Sequence, residues 1–139
     1  MDLSFLDDEI DEQATCNKVR RFFKKQVPRL IRLSGLNLVS LKSPELSSMP
    51  TSKPAGNTNE DRIVRKLEAQ RIITAVVQAI RICGEPSNTI LFGVYLQGLP
   101  NWQVEQQLGY GASRFYQLKN QSFLNFADAF AEADLHVYK

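Results

Sequence analysis

Residues 89–130 read TILFGVYLQGLPNWQVEQQLGYGASRFYQLKNQSFLNFADAF. Glycine and proline interrupt this stretch at Gly98-Leu99-Pro100 and at Gly109-Tyr110-Gly111, leaving three short helical segments. The last two form a helix-turn-helix, a shape that can lay one helix in the major groove of DNA. The first of the pair is expected over residues 101–108. Proline or the residue after it suits a first turn whose amide is unpaired anyway, so Pro100 or Asn101 opens it. Val104 and Leu108 then form an inward-facing i, i+4 pair. Gly109 supplies a residue that takes positive φ at the turn. The second helix is expected over residues 112–130. Its Phe115, Leu118, Ser122 and Phe126 point to a core, with Phe123 and Leu124 beside that stripe.

The opposite face of this second helix offers Ser113, Arg114, Tyr116, Gln117, Asn120 and Gln121. Arginine makes bidentate contacts to guanine, and glutamine and asparagine to adenine. Arg114 and Lys119 are the only cations on this helix, too few to hold DNA by themselves, because each neutralised phosphate adds to a salt-dependent affinity. Arg62, Arg65, Lys66, Arg71 or the basic N-terminal segment is expected to add to it. The same spacing also fits a helical hairpin that merely packs. Trp102 reads as a core or cap-packing residue rather than a base-stacking platform.

Working outward, Ser87 or Asn88 starts a helix with Ile90, Leu91, Val94, Tyr95 and Leu96 in period. Before it, Thr58 or Asn59 caps a long helix reaching about Cys83, with Glu60 and Asp61 in its first turn. Ile63, Leu67, Val76, Val77 and Ile80 make its apolar stripe, widened by Ile72 and Ile73. Residues 43–58 are rich in proline, serine and other small polar residues, the composition of a linker, with Leu46 and Met49 available to tack it onto a helix. Toward the N-terminus, a helix is expected from Asp11 to about Gln26, with Val19, Phe22 and Phe23 apolar. Pro28 then interrupts, and a second short helix ends at Gly35. The two make a helical hairpin or a kinked helix. No bounded alternating run suggests a strand. The fold class expected is therefore all-α, divided into an N-terminal acidic tail and basic helical region (1–42), a linker (43–58), and a long helix with a helix-turn-helix domain (59–139).

Charge is distributed unevenly. The net charge is +2, yet Asp2, Asp7, Asp8, Glu9, Asp11 and Glu12 make the first dozen residues purely acidic. From residue 18 to residue 42 every formal charge is positive: Lys18, Arg20, Arg21, Lys24, Lys25, Arg29, Arg32 and Lys42. Such a segment is a candidate for phosphate or for an acidic partner surface, and equally for a solvated helix face.

Other chemistries find little support. Cys16, Cys83 and His136 are the only residues of their kinds, too few and too scattered for a zinc site of the usual type. Neither a nucleotide-binding glycine loop nor a nucleophile triad is legible. No cofactor, no metal and no enzymatic activity are expected. No apolar run reaches membrane-spanning length, and the acidic N-terminus does not resemble a secretory signal, so a cytoplasmic protein of the bacterial host is expected.

LQGLPNWQVEQQLGYGASRFYQLKNQSFLNFADAF resembles the C-terminal part of ArpU-type phage regulators of late packaging and lysis genes. VRRFFKKQVPRLIRLSGLNLVSLKSPELSSMP is similar to their N-terminal region, and GNTNEDRIVRKLEAQRII to their central helix. The resemblance covers about residues 14–130. It implies a transcription activator with a C-terminal part similar to the sigma-factor region that reads the −35 promoter element. On that resemblance Asn101, Trp102 and Gln103 fall where sigma-like domains touch phosphate. Ala112, Ser113, Arg114, Gln117 and Gln121 fall on the base-facing side. Two positions depart from the usual motif. Glu105 stands where a small residue is common, and would have to swing outward or meet Arg114 or Lys119. Gly111 stands where a capping serine is common.

Three functions follow as expectations. The first is a sequence-specific activator that binds double-stranded promoter DNA, works with host RNA polymerase, and forms a dimer or higher oligomer, since one short helix reads few base pairs. The second is a packaging protein of terminase small-subunit type, which ring stoichiometry would favour. The third is a polymerase-binding protein without DNA specificity, its acidic tail contacting a partner or guarding the basic segment.

Overall fold

The computed structural model describes residues 1–42 and 60–139. A 3-10 turn at Ser4–Asp7 precedes α1 (Glu12–Arg21), a π-helical turn (Phe22–Gln26) and α2 (Val27–Ser34). Next come α3 (Leu38–Lys42), the long α4 (Glu60–Ile82), α5 (Ser87–Leu91) with a second π-helical turn (Phe92–Leu96), α6 (Asn101–Leu108) and α7 (Ala112–Ala129). The all-α expectation holds. Among the described residues, extended pairing is limited to an isolated antiparallel bridge between Ile10 and Tyr138. The expected linker, with Leu46 and Met49, and the expected caps Thr58 and Asn59 lie outside the described residues.

Local chemistry accounts for the helix ends. The Asp11 carboxylate accepts from the Ala14 amide at 3.1 Å and caps α1. Gly35, at φ 70°, closes α2 as expected. Pro28 behaves differently from its reading as an interruption. Phe22, Gln26 and Val27 all keep right-handed helical dihedrals, and the Val27 amide donates to the Phe22 carbonyl five residues back. A proline ring in a regular α-helix collides with the carbonyl four residues earlier; the wider turn just before Pro28 relieves that crowding. α1 and α2 therefore form one helical run rather than a reversing hairpin.

That run meets two different helices. α1 packs on α7, α2 on α4, and α5 also on α7. Val19, Phe22, Phe23 and Val27 thus share one core with Ile73, Val76, Val77 and Ile80 of α4, Leu91, and Phe123 and Phe126 of α7. Residues 1–42 and 60–139 bury their apolar faces against each other. Aromatic rings occupy the centre: Phe126 lies 4.7 Å from Phe23 and 5.2 Å from Phe130, centroid to centroid.

The C-terminal segment closes over α1. Leu135 is buried, the Asp11 amide donates to the Val137 carbonyl at 2.7 Å, and the Val137 amide donates to Thr15 Oγ1 at 2.9 Å. His136 lies between two carboxylates, Nδ1 at 2.6 Å from Asp134 and Nε2 at 2.7 Å from Asp128. Burial pulls the imidazole pKa down, but the bonds to Asp128 and Asp134 outweigh it and leave the net shift upward. A folded pKa above the unfolded one contributes stability that is full below about 6.5 and is lost as pH rises through the folded value. The thermal midpoint of the wild type relative to His136→Gln should therefore shrink between pH 6 and pH 8. A constant difference across that window would show that the clasp does not depend on the imidazolium.

Candidate nucleic-acid interface

The pair α6 and α7, with the turn between them, is anchored by a small apolar cluster of its own. Ile90, Val104 and Phe115 are fully buried together, with Val94, Leu99, Leu108 and Leu118 packed around them. α6 approaches the preceding segment at Gly93, where an added Cβ would sit 3.2 Å from Val104 Cγ2. The small residue this packing needs is therefore Gly93, across the contact, rather than the position after Val104. Glu105 remains half-exposed, and among the described residues no cation comes within ion-pairing distance of it.

The turn is built by Gly109, at φ 76°. Its amide donates to the Gln106 carbonyl at 3.3 Å and the Tyr110 amide to the Glu105 carbonyl at 3.2 Å, the paired 5→2 and 6→1 bonds of a Schellman stop. Gly111 is extended and starts α7 without a side-chain cap.

On α7, Phe115, Ser122 and Phe126 are buried as their spacing requires and Leu118 is partly so, while Phe123, expected beside that stripe, is fully buried too. Ala112, Ser113, Arg114, Tyr116 and Gln117 are exposed on its first half. Arg114 Nη1 lies 3.4 Å from Gln117 Oε1, so the two expected base readers stand side by side. Asn101 Nδ2 donates to the Tyr116 hydroxyl at 3.2 Å and ties the start of α6 to α7. Gln103 is half-buried. Trp102 is 59% exposed, against the expectation of a core role. It stands two residues before the buried Val104, on another side of α6.

Lys119 departs most from its reading as a DNA contact. It is only 8% exposed, with its ammonium donating to Asn101 Oδ1 at 3.2 Å and lying 5.2 Å from the Tyr95 ring centre. Burial, with the charges of Arg20 and Lys24 nearby, pulls it down to about 8. Asn120 is also engaged: its side-chain oxygen accepts from Arg20 Nη2 at 3.3 Å, and its carbonyl accepts from Cys16 Sγ at 3.4 Å. Gln121 bonds Asn125 at 3.0 Å and, with Gln117, borders a shallow depression shared with Glu12 and Gln13 of α1. The second half of the expected reading face therefore abuts α1.

The basic segment divides by helical phase. Arg20 and Lys24 stand close enough to Lys119 for their charges to disfavour its ammonium, so three cations lie beside α6 and α7, and no carboxylate among the described residues is paired with any of them. Lys18 donates to the Asp134 carbonyl at 3.3 Å. Lys25 and Arg29 border a separate groove between α2, α4 and the C-terminal segment, while Arg21 and Arg32 are exposed. Cys16 and Cys83 are free; burial raises both thiols, Cys83 to about 11, which makes them poor nucleophiles.

Two curated proteins align with nearly the whole chain. The chain is similar to ArpU regulatory proteins. One, named "Putative autolysin regulatory protein ArpU", comes from Enterococcus hirae and is 27% identical over 134 residues, covering 94% of this chain and 96% of that protein. The other carries the same name, comes from Streptococcus phage O1205, and is 29% identical over 133 residues, covering 93% and 96%. No family profile matches the chain, and no solved structure does. Both aligned regions are long enough to include α1 through α7, so the likeness to regulatory proteins extends beyond the helix-turn-helix. Among the described residues, no helix is long and apolar enough to cross a membrane, and no cluster of three or more metal-ligating side chains occurs.

Proposed function

We propose that this chain is a sequence-specific DNA-binding regulator that activates transcription of phage late genes, acting as a dimer or higher oligomer with host RNA polymerase. One arrangement carries the reading. The first half of α7 exposes Ser113, Arg114, Tyr116 and Gln117, its other face is locked into the Ile90–Val104–Phe115 cluster, and Arg20, Lys24 and Lys119 converge beside it with no carboxylate paired to them among the described residues. A polar, arginine-bearing helix face reads base edges, and neighbouring cations hold phosphate. The regulatory names of the two relatives support the same direction.

In this reading Trp102 and Gln103 at the start of α6 meet the phosphate backbone, and the exposed indole covers sugar rather than filling a core. Arg20 and Lys24 supply affinity without specificity. Substituting alanine for both should weaken binding to all sequences alike and flatten the dependence of log affinity on log salt by about 2, roughly one for each phosphate no longer neutralised. Weakening confined to one sequence would contradict a phosphate role. The reading as a whole is tested by a footprint on phage DNA upstream of the packaging and lysis genes, followed by transcription from that site with host polymerase. A discrete footprint and raised transcript are expected; protection without sequence preference, or ring assembly on genome ends, would overturn it.

A further inference from the structure

The first residues carry an apolar load that no described residue covers. Leu3, Phe5 and Leu6 are 50%, 65% and 67% exposed. They sit in and beside the Ser4–Asp7 turn, flanked by Asp2, Asp7, Asp8 and Glu9. None of these carboxylates is paired with a basic side chain among the described residues. The base of this arm is held firmly: Ile10 bridges Tyr138, and the Lys139 amide donates to the Glu9 carbonyl at 3.1 Å.

Elsewhere the described residues leave a groove of about 770 Å³ that none of them fills. Its floor includes Phe22, Leu30, Leu33, Ile72 and Phe130. Glu68 and Glu132 on its border both close on Arg71, which leaves Lys25 and Arg29 as border cations with no carboxylate among the described residues. An apolar floor rimmed by such cations complements an apolar segment flanked by unpaired carboxylates.

Phe5 and Leu6 do not reach the Leu30–Leu33 end of their own groove, although its Phe22 end is nearer. Phe5 stands five residues before the pinned Ile10 and strays at most about 17 Å from it. Leu30 lies about 27 Å along the helical run from Glu12, near which Ile10 is fixed. We propose that the groove receives residues 3–6 of a second copy of this chain. Each copy has one arm and one groove, so two copies exchange arms reciprocally and close a two-fold dimer. Phe5 and Leu6 cover Leu30 and Leu33, while Asp7 and Asp8 meet Lys25 and Arg29. Because the base of the arm is already fixed, little chain entropy is lost on docking. This names a surface for the oligomer proposed above, and its test needs no DNA.

Sedimentation velocity on the full chain, from micromolar to millimolar concentration, decides it. The wild type should pass from monomer to dimer. Phe5→Asp/Leu6→Asp should raise the dissociation constant about 100-fold or more, because two large apolar side chains per arm lose their burial. Leu33→Asp should do the same from the groove side. All three positions are exposed, so circular dichroism should stay unchanged. An equimolar mixture of the arm variant and the groove variant retains one intact arm and one intact groove, and should recover a dimer that neither forms alone. A wild type that is monomeric throughout, a dimer indifferent to both variants, or a mixture that sediments like its components would overturn the exchange. A monomer that still leaves a discrete footprint would separate that failure from the DNA reading.

Discussion

Replacing both Arg114 and Gln117 with alanine is expected to erase site-specific DNA binding while leaving the helical content intact. Both side chains are exposed on the first half of α7 and touch each other rather than the core, so the fold does not depend on them. A good bidentate contact is worth about 1–3 kcal/mol of discrimination, so losing two lowers specific affinity on the order of a hundredfold or more. What is expected to remain is the salt-sensitive attraction for any duplex proposed for Arg20 and Lys24. Gel shift against the footprinted site and a scrambled one should give nearly equal affinities for the double variant. Asn120→Ala should change discrimination far less, since the Asn120 side-chain oxygen is already bound by Arg20. A double variant that still protects the same site would move the reading face elsewhere.

Phe126→Ala is expected to have the largest effect on stability. Its ring is fully buried and meets Phe22, Phe23 and Phe130, joining α7 to the α1–α2 run. Truncating a phenylalanine in such a site costs about 3–5 kcal/mol, a large share of the roughly 5–15 kcal/mol that holds a domain folded. The urea midpoint should fall steeply, and DNA binding should fail along with folding. Leu118→Ala, in the half-buried rim of the smaller cluster, should cost much less. A mild effect at Phe126 would mean that the N-terminal helices contribute little to the core they share with α7.

Much of this fold is legible in the sequence because local rules and tertiary packing agree. Val104, Gly109 and Phe115 have the spacing of a helix-turn-helix, and α6 and α7 form where that spacing puts them. Ser122 belongs to the core by position alone, and its hydroxyl indeed donates to the Leu118 carbonyl at 2.7 Å in a fully buried site. Residue type misleads where it is weighed above position. Lys119 lies four residues after Phe115 and three before Ser122, within the buried stripe, yet its charge suggests solvent. Trp102 suggests a core by its size, although its phase differs from that of Val104. Pro28 reads as an interruption because the wide turn that accommodates it has no sequence signature. The pairing of Ile10 with Tyr138 joins residues at opposite ends of the chain, which no periodicity reports. The convergence of Arg20, Lys24 and Lys119 depends on how α1 crosses α7, a tertiary fact hidden in an unbroken basic run.

The π-helical turn at Phe22–Gln26 acts as a phase adjuster. Each residue of a helix advances about 100° around its axis, so a turn holding one residue more than usual resets every side chain that follows. Without that surplus residue, α2 would be rotated by roughly that angle relative to α1. Leu30 and Ile31 would swing away from α4 just as Val19 stayed seated against α7. A single-residue change in the length of this turn would therefore act like a frame slip in three dimensions, leaving the helix intact and separating the two contacts it serves.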